Sequence, residues 1–350
     1  MHAEQIQSFK KRFDDLIVDK KSVMVVSHKG PDDDSIASML GVYRYISKKY
    51  PEKNVELFTF SIPETRWGSF QDFDKIHFVI EDSYDFSRFD FLIGVDACQF
   101  SRFHPKKDFF DSFKGESVCI DHHKNDPDNF TAHLVLGDYS SNAELVHNIF
   151  FSEGTLEKIT AETLLLGILG DTGNFRFVSS EQSDVFLVAK RLVDAADISI
   201  QGFQSRYSTY PVKTFEIIQN IVTNARIEEI PGWPKFIISY IDRKYIAEHQ
   251  LDDGMVSAAT HIFIAQYGLS MTECSWGMVF SPRADGSVSG SMRSRPGSVN
   301  VRMIGQQTGK GGGHDRAAAV KFLQDSYVYD TQECIEWLKK WLSENKPVLE

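Results

Sequence analysis

Four side chains able to ligate a metal, His28, Asp32, Asp33 and Asp34, fall within seven positions of the stretch SHKGPDDDSIAS, residues 27–38. Three consecutive aspartates repel one another, and beside an apolar run such charge calls for a cation. Further along, Asp96 closes FLIGVD, Asp121, His122 and His123 close SVCIDHH, and Asp171 stands in GDTGNFRF. Taken singly, each has an ordinary explanation, because an Asp at a strand end commonly caps a helix or forms a turn. Taken together, four separate segments supply imidazoles and carboxylates and no thiolate. That donor set selects hard or borderline divalent ions, Mn²⁺ or Mg²⁺ with Zn²⁺ or Co²⁺ as alternatives. Five or six such ligands exceed what one catalytic ion takes while keeping positions open. Two ions are therefore expected, a pair suited to clamping the attacking and leaving oxygens of an in-line displacement at phosphorus.

The elements that must position these groups are legible as apolar runs between polar turns. Residues 22–28, 55–61, 75–80, 89–96 and 117–123 are rich in Val, Ile and Phe, as buried strands are. Between the first two, Ile36, Met39, Leu40, Tyr43 and Ile46 make one helical stripe. Such alternation implies a mainly parallel sheet with helices on both faces, and ligand sites then lie beyond the carboxyl ends of the strands. Three more segments between 140 and 196 read as helices, and 197–229 as helical. WPKFIISYI and ECSWGMVFSPRADGSVSGSMRSR read as strands, the second a hairpin turning at Asp285-Gly286. A helix over 299–308, a glycine loop at 311–313 and a helix over 314–325 are expected to follow. The expected fold class is α/β: a catalytic domain over 1–195, a helical linker over 196–229 and a smaller α/β substrate-binding domain over 230–350, with the active-site cleft between the domains.

Composition bounds the function. A chain of 350 residues makes about two domains at roughly 150 residues each, and a hydrophobic content of 42% can build a core in both. The apolar runs at 91–95 and 163–169 are far below the ~18 residues of a membrane span, so no transmembrane segment is expected. The N-terminal MHAEQIQSFKKRFDDLI lacks the apolar block of a secretion signal and reads as an amphipathic helix. Cys98, Cys119, Cys274 and Cys334 are scattered without a C-x-x-C pair, which fits a reducing cytoplasm. A net charge of −11 disfavours a general grip on long duplex nucleic acid. Residues 283–316 run against that balance, with six basic side chains against two acidic ones. The patch is suited to one small or short anion, although a solvated basic face would carry the same charge. Gly311 to Gly313, placed at the start of a helix, would let backbone N–H groups approach such an anion, with His314, Arg293 and Arg295 adding charge-assisted hydrogen bonds.

SHKGPDDDSIAS resembles the first motif of the DHH phosphoesterase superfamily, GVDACQFSRF its second, DHHKND its signature third and GDTGNFRF its fourth. GSMRSRPGSVNV and GGGHDRAAA resemble the Arg-Ser and Gly-Gly-Gly-His motifs of the DHH-associated C-terminal domain. The resemblance implies two divalent ions, Mn²⁺ first and Mg²⁺ or Co²⁺ next: one held by His28, Asp32 and Asp96, the other by Asp34, Asp96, His122 and Asp171. It implies that His123 contacts the reacting phosphate and that Asp121 orients the histidines. Arg102, Arg293, Ser294, Arg295, Gly311, Gly312, Gly313 and His314 are the implied substrate-binding residues. Two positions depart from the pattern: Asp33, between the motif aspartates, is usually small, and Ala319 stands where the motif closes with Gly. The arrangement resembles the oligoribonuclease and 3′-phosphoadenosine 5′-phosphate phosphatase group and the dinucleotide phosphodiesterases. The expected activity is hydrolysis of short single-stranded RNA or DNA, of linear or cyclic dinucleotides, or of 3′-phosphoadenosine 5′-phosphate, by a cytoplasmic protein compatible with a homodimer. The alternative, motivated by Asp33, is a nucleotide-binding sensor weakened in catalysis.

Overall fold

Apolar runs become strands buried on both faces when each face finds its own cover. The structure is a computed structural model that describes residues 2–61, 68, 70–81, 83–104, 106, 108–207, 209–324 and 326–349; it divides into two units, 1–208 and 209–350. Among the described residues, the first unit holds a six-stranded parallel sheet: β1 (Ser22–Ser27), β2 (Asn54–Thr59), β3 (Ile76–Phe78), β4 (Phe91–Val95), β5 (Glu116–Asp121) and β6 (Ala132–Val135). The strand order β3-β2-β1-β4-β5-β6 reverses direction between β1 and β4. β6 was not anticipated, since its four residues, Ala-His-Leu-Val, are too short and mixed to show a period.

Side chains of β1 and β4 alternate between two cores. Val23, Val25, Phe91, Ile93 and Val95 face the helices, whereas Met24, Val26 and Leu92 face the other way. On the helical face lie α1 (Ala3–Ile17), α2 (Asp33–Lys49), α4 (Asn142–Phe150), α5 (Lys158–Asp171) and α6 (Val185–Ala196), with Phe203 of α7 (Ile200–Tyr207) reaching the same core. The opposite face is covered by α3 (Phe100–Phe103) and by loops that pack rings instead of helical turns. Phe100 stacks on Phe130 at 4.7 Å, and Phe60 meets Phe109 edge-on at 5.0 Å. Large aromatic side chains let irregular segments seal a sheet face, because each buries much area with few rotamers to fix.

The second unit is a mixed sheet of order β11-β12-β10-β9-β8-β7, built from β7 (Arg226–Glu228), β8 (Phe236–Tyr240), β9 (Trp276–Pro282), β10 (Val288–Ser294), β11 (Gly311–His314) and β12 (Ala317–Phe322). Ile237 and Val279 pack with α8 (Val212–Thr223) and α10 (Asp253–Phe263), while Ile238, Met278 and Phe280 share a core with α11 (Val301–Gln307) and α12 (Thr331–Glu344). A short α9 (Arg243–Glu248) follows β8, and β7 occupies part of the stretch expected to be helical. Ser208, within that stretch, lies outside the described residues. The β9–β10 hairpin turns at Asp285-Gly286, with Gly286 at φ 83°.

One expectation is overturned here. Gly311 to His314 does not open a helix: it is an edge strand antiparallel to β12, and the expected helix over 314–325 is β12 itself. Three alanines and a lysine make AAAVKF a weak strand former despite its Val and Phe, so its state is set by pairing with β10. The glycines are required by contact. A Cβ on Gly311 would stand 1.9 Å from Ala319 O, and one on Gly305 of α11 would stand 2.6 Å from Gly312 N. Among the described residues no helix is long and apolar enough to cross a membrane, and all four cysteines are free and buried.

Candidate metal centre

In an open parallel sheet the crevice for a ligand forms where the strand order reverses, beyond the carboxyl ends. β1, β4 and β5 are adjacent at that reversal, and the residues that follow them are His28, Asp96 and His122. α2 starts beside β1 because Asp32 caps it, its Oδ1 accepting from Ser35 N at 3.0 Å. That cap places Asp34 in the first turn, buried, and leaves Asp32 half exposed. α5 runs back so that its last residue, Asp171, reaches the same place.

Three groups of ligand atoms result, each mutually within 4.8 Å: His28, Asp32 and Asp96; Asp34, His122 and Asp171; and Asp96, His122 and His123. Asp96 joins the groups. Its Oδ2 lies 3.3 Å from His28 Nε2, and its Oδ1 lies 3.5 Å from His122 Nε2 and 3.6 Å from His123 Nδ1. His122 Nε2 is also 3.7 Å from Asp34 Oδ2 and 3.4 Å from Asp171 Oδ2. Asp96, just past the end of β4, adopts φ 59°, a left-handed conformation that few residues other than Gly, Asn and Asp take up.

The partners of these groups fix their orientation. His122 Nδ1 donates to Tyr139 O at 3.3 Å and His28 Nδ1 to Lys29 O at 3.1 Å, so both rings turn Nε2 toward the carboxylates. Asp34 accepts from Asn142 N at 2.6 Å and Ala143 N at 2.8 Å, at the start of α4, where backbone donors stabilise an anion. Asp121 accepts from His123 Nδ1 at 2.7 Å. Ser35 Oγ lies 2.7 Å from His28 Nε2 and donates to Asp96 Oδ2 at 2.6 Å. Ser35, Asn142 and Ala143 were missed as site residues; the N-cap pattern of Ser-Asn-Ala-Glu at 141–144 was the available signal for the last two.

The electrostatics fit a divalent cation among these groups. Burial raises the Asp34 carboxyl, and Asp96 and Asp171 raise it further. Burial likewise raises Asp171, to about 6, despite His122 beside it. Burial would lower His28, but the hydrogen bond and charge of Asp96 outweigh it and carry the imidazole to about 9. Burial would raise Asp96, yet His122 and His28 hold it well below the carboxylate range. Asp96 Oδ1 is buried with no hydrogen-bond partner, an uncommon condition for a carboxylate oxygen. The donor set and that oxygen fit divalent ions.

Asp33 packs against α5: a Cβ on Gly170 would lie 2.7 Å from Asp33 Cβ. Arg102 is exposed, lies near enough to His28 to oppose its protonation, and accepts from Lys29 N through its carbonyl at 2.8 Å. The remaining expected residues lie in the second unit. Arg293, half-buried on β10, donates to Met292 O at 2.9 Å; Ser294 Oγ is buried and without a hydrogen-bond partner. Arg295 donates to Thr272 O and Cys274 O at 3.2 and 2.8 Å, while Gly311 to Gly313 and His314 form the edge strand.

Residues 22–168 match the DHH family, N-terminal domain. The chain carries a DHH-family domain. The chain is 24% identical over 298 residues to the "Probable bifunctional oligoribonuclease and PAP phosphatase NrnA" of Streptococcus mutans, covering 85% of this chain and 88% of that protein. It is 28% identical over 335 residues to the cyclic-di-AMP phosphodiesterase PdeA of Listeria monocytogenes, covering 91% of this chain and 47% of that longer protein. The fold is shared with an exopolyphosphatase-related protein from Bacteroides fragilis, at a TM-score of 0.80, 17% identity and 97% coverage of both chains.

Proposed function

We propose that this chain is a divalent-metal phosphoesterase that hydrolyses the phosphodiester bonds of short oligonucleotides and of linear or cyclic dinucleotides, with 3′-phosphoadenosine 5′-phosphate as a further substrate. The observation that carries the reading is Asp96, a single buried carboxylate whose two oxygens face two separate groups of His and Asp. His28, Asp32 and Asp96 would hold one ion, and Asp34, Asp96, His122 and Asp171 the other. Bound there, Mn²⁺ or Mg²⁺ ions supply charge stabilisation of the phosphoryl oxygens.

The protein's own groups are assigned as follows. His123, whose Nδ1 donates to Asp121 Oδ1, is assigned through its other ring nitrogen, Nε2, to the phosphate or its leaving oxygen. Arg102, Arg293, Ser294, Arg295, His314 and the backbone of Gly311 to Gly313 are assigned to the rest of the nucleotide. The relatives named for oligoribonuclease, phosphatase and cyclic-dinucleotide activities support this substrate class. The test is a panel of di- to pentanucleotide RNA and DNA, cyclic dinucleotides and 3′-phosphoadenosine 5′-phosphate, each assayed with Mn²⁺ for wild type and Asp96→Ala. The expected result is turnover of at least one class, with kcat/KM lowered on the order of 10³-fold in the variant, since several kcal/mol of charge stabilisation depend on that carboxylate. A wild type that leaves the whole panel intact, or a variant that matches it, overturns the reading.

A further inference from the structure

The second group of ligands, Asp34, His122 and Asp171, draws its two carboxylates from two different helices, so their separation depends on how α2 and α5 pack. Three successive contacts define that packing. A Cβ on Gly41 would stand 3.0 Å from Leu164 Cδ2; one on Gly167 would stand 2.6 Å from Ala37 Cβ and 2.8 Å from Ala143 Cβ; one on Gly170 would stand 2.7 Å from Asp33 Cβ. Positions 33, 37 and 41 are spaced by four along α2, and 164, 167 and 170 by three along α5, so each trio forms one stripe on its helix. Their pairing in reverse order makes the helices antiparallel, with the last contact at the metal end. Asp34 follows Asp33 and Asp171 follows Gly170, so both ligands flank that last contact. Asp34 Oδ1 also lies 3.2 Å from where a Gly167 Cβ would stand.

We infer that Asp33 and Gly170 are positioning residues for the second metal: the Cβ of Asp33 seats on the bare backbone of Gly170 and so sets the distance between Asp34 and Asp171. This gives the extra aspartate of the PDDDS run a role that needs its β-carbon and no ligation by its carboxylate. It also gives the glycine before Asp171 a reason to be glycine, because at under 3 Å a Cβ there must push one helix away. The inference rests on the two-metal reading.

The experiment measures Mn²⁺ binding by titration calorimetry, together with the electron paramagnetic resonance signature of a coupled Mn²⁺ pair. Wild type is expected to bind two ions with a coupled signal. Gly170→Ala is expected to weaken one of the two sites by about tenfold or more, the scale seen when groups that orient ligands are altered, and to replace the coupled signal by that of isolated ions. Asp33→Gly combined with Gly170→Ala moves the β-carbon to the other helix and is expected to restore both the second site and the coupling. Gly41→Ala, in the same stripe but away from the metals, is expected to keep both ions. Two ions with full coupling in Gly170→Ala, or a double variant that stays at one ion, overturns the inference; if Gly170→Ala does not fold, the double variant decides alone. A wild type that binds fewer than two ions overturns the two-metal reading itself.

Discussion

Asp96 combines three demanding conditions: it is buried, in a left-handed conformation, and has one carboxylate oxygen lacking a hydrogen bond. Each condition costs free energy in a metal-free protein, and they recur together where a bound ion supplies the return. A different buried imidazole, His147 on α4, bears on pH. Burial pushes it down to about 4, with Arg191 acting in the same direction and Asn148 opposing. The unfolded chain binds a proton at His147 with an ordinary value near 6.5, above the folded value, so its contribution to stability is complete above about pH 6.5 and is lost as pH falls toward 4. Urea denaturation at pH 7 and pH 5 is expected to show wild type losing on the order of 2 kcal/mol more than His147→Gln over that interval. Equal losses in the two proteins would show that His147 is not the group responsible.

Among the elements, β11 carries the clearest consequence. It pairs with β12 along Gly311 to His314, and the two neighbouring glycines differ sharply: a Cβ on Gly311 meets Ala319 O, whereas one on Gly312 meets nothing within 4 Å. Gly311→Ala must therefore separate β11 from β12 and is expected to cost about 1–3 kcal/mol, as overpacking does. Gly312→Ala is expected to stay within about 0.5 kcal/mol of wild type, the usual range for a substitution into open space. Chemical denaturation of the two variants side by side distinguishes this edge strand from a glycine loop, in which both substitutions would be tolerated alike.

At the scale of the whole molecule, each unit has its own cores, and the proposed ligands all belong to the first. Trp233, Trp276, Trp337 and Trp341 belong to the second, leaving Trp67 as the one tryptophan of residues 1–208. A ligand that binds only the folded state stabilises it by RT ln(1 + [L]/Kd), about 2.7 kcal/mol at a hundredfold excess over Kd. In a Trp67→Phe background, whose four remaining tryptophans all lie in the second unit, Mn²⁺ is thus expected to raise the calorimetric transition of the first unit while the tryptophan-fluorescence midpoint stays in place, and EDTA to reverse the rise. A fluorescence midpoint that follows the metal would show that the units unfold as one.

The six proposed ligands, which the fold brings together, could be picked out in the sequence because their chemistry is carried by residue type and their placement by local pattern. His28, Asp96 and His122 each follow an apolar run, and Asp32 and Asp34 flank the start of a strongly periodic helix. The DHH-family match and the parallel sheet were legible for the same reason. Tertiary structure alone decided the rest. β12 is a strand because β10 and β11 pair with it, a non-local contact that overrides the weak preference of AAAVKF. Ser35, Asn142 and Ala143 become site residues through folding, which brings α2, α4 and the end of β4 together over separations of 61 and 108 residues. Asp33 looked like surplus charge in the sequence; only its seat on Gly170 shows a β-carbon filling a gap between two helices. Residue type can name a ligand from the chain alone, but which backbone lies across from it depends on packing between distant segments.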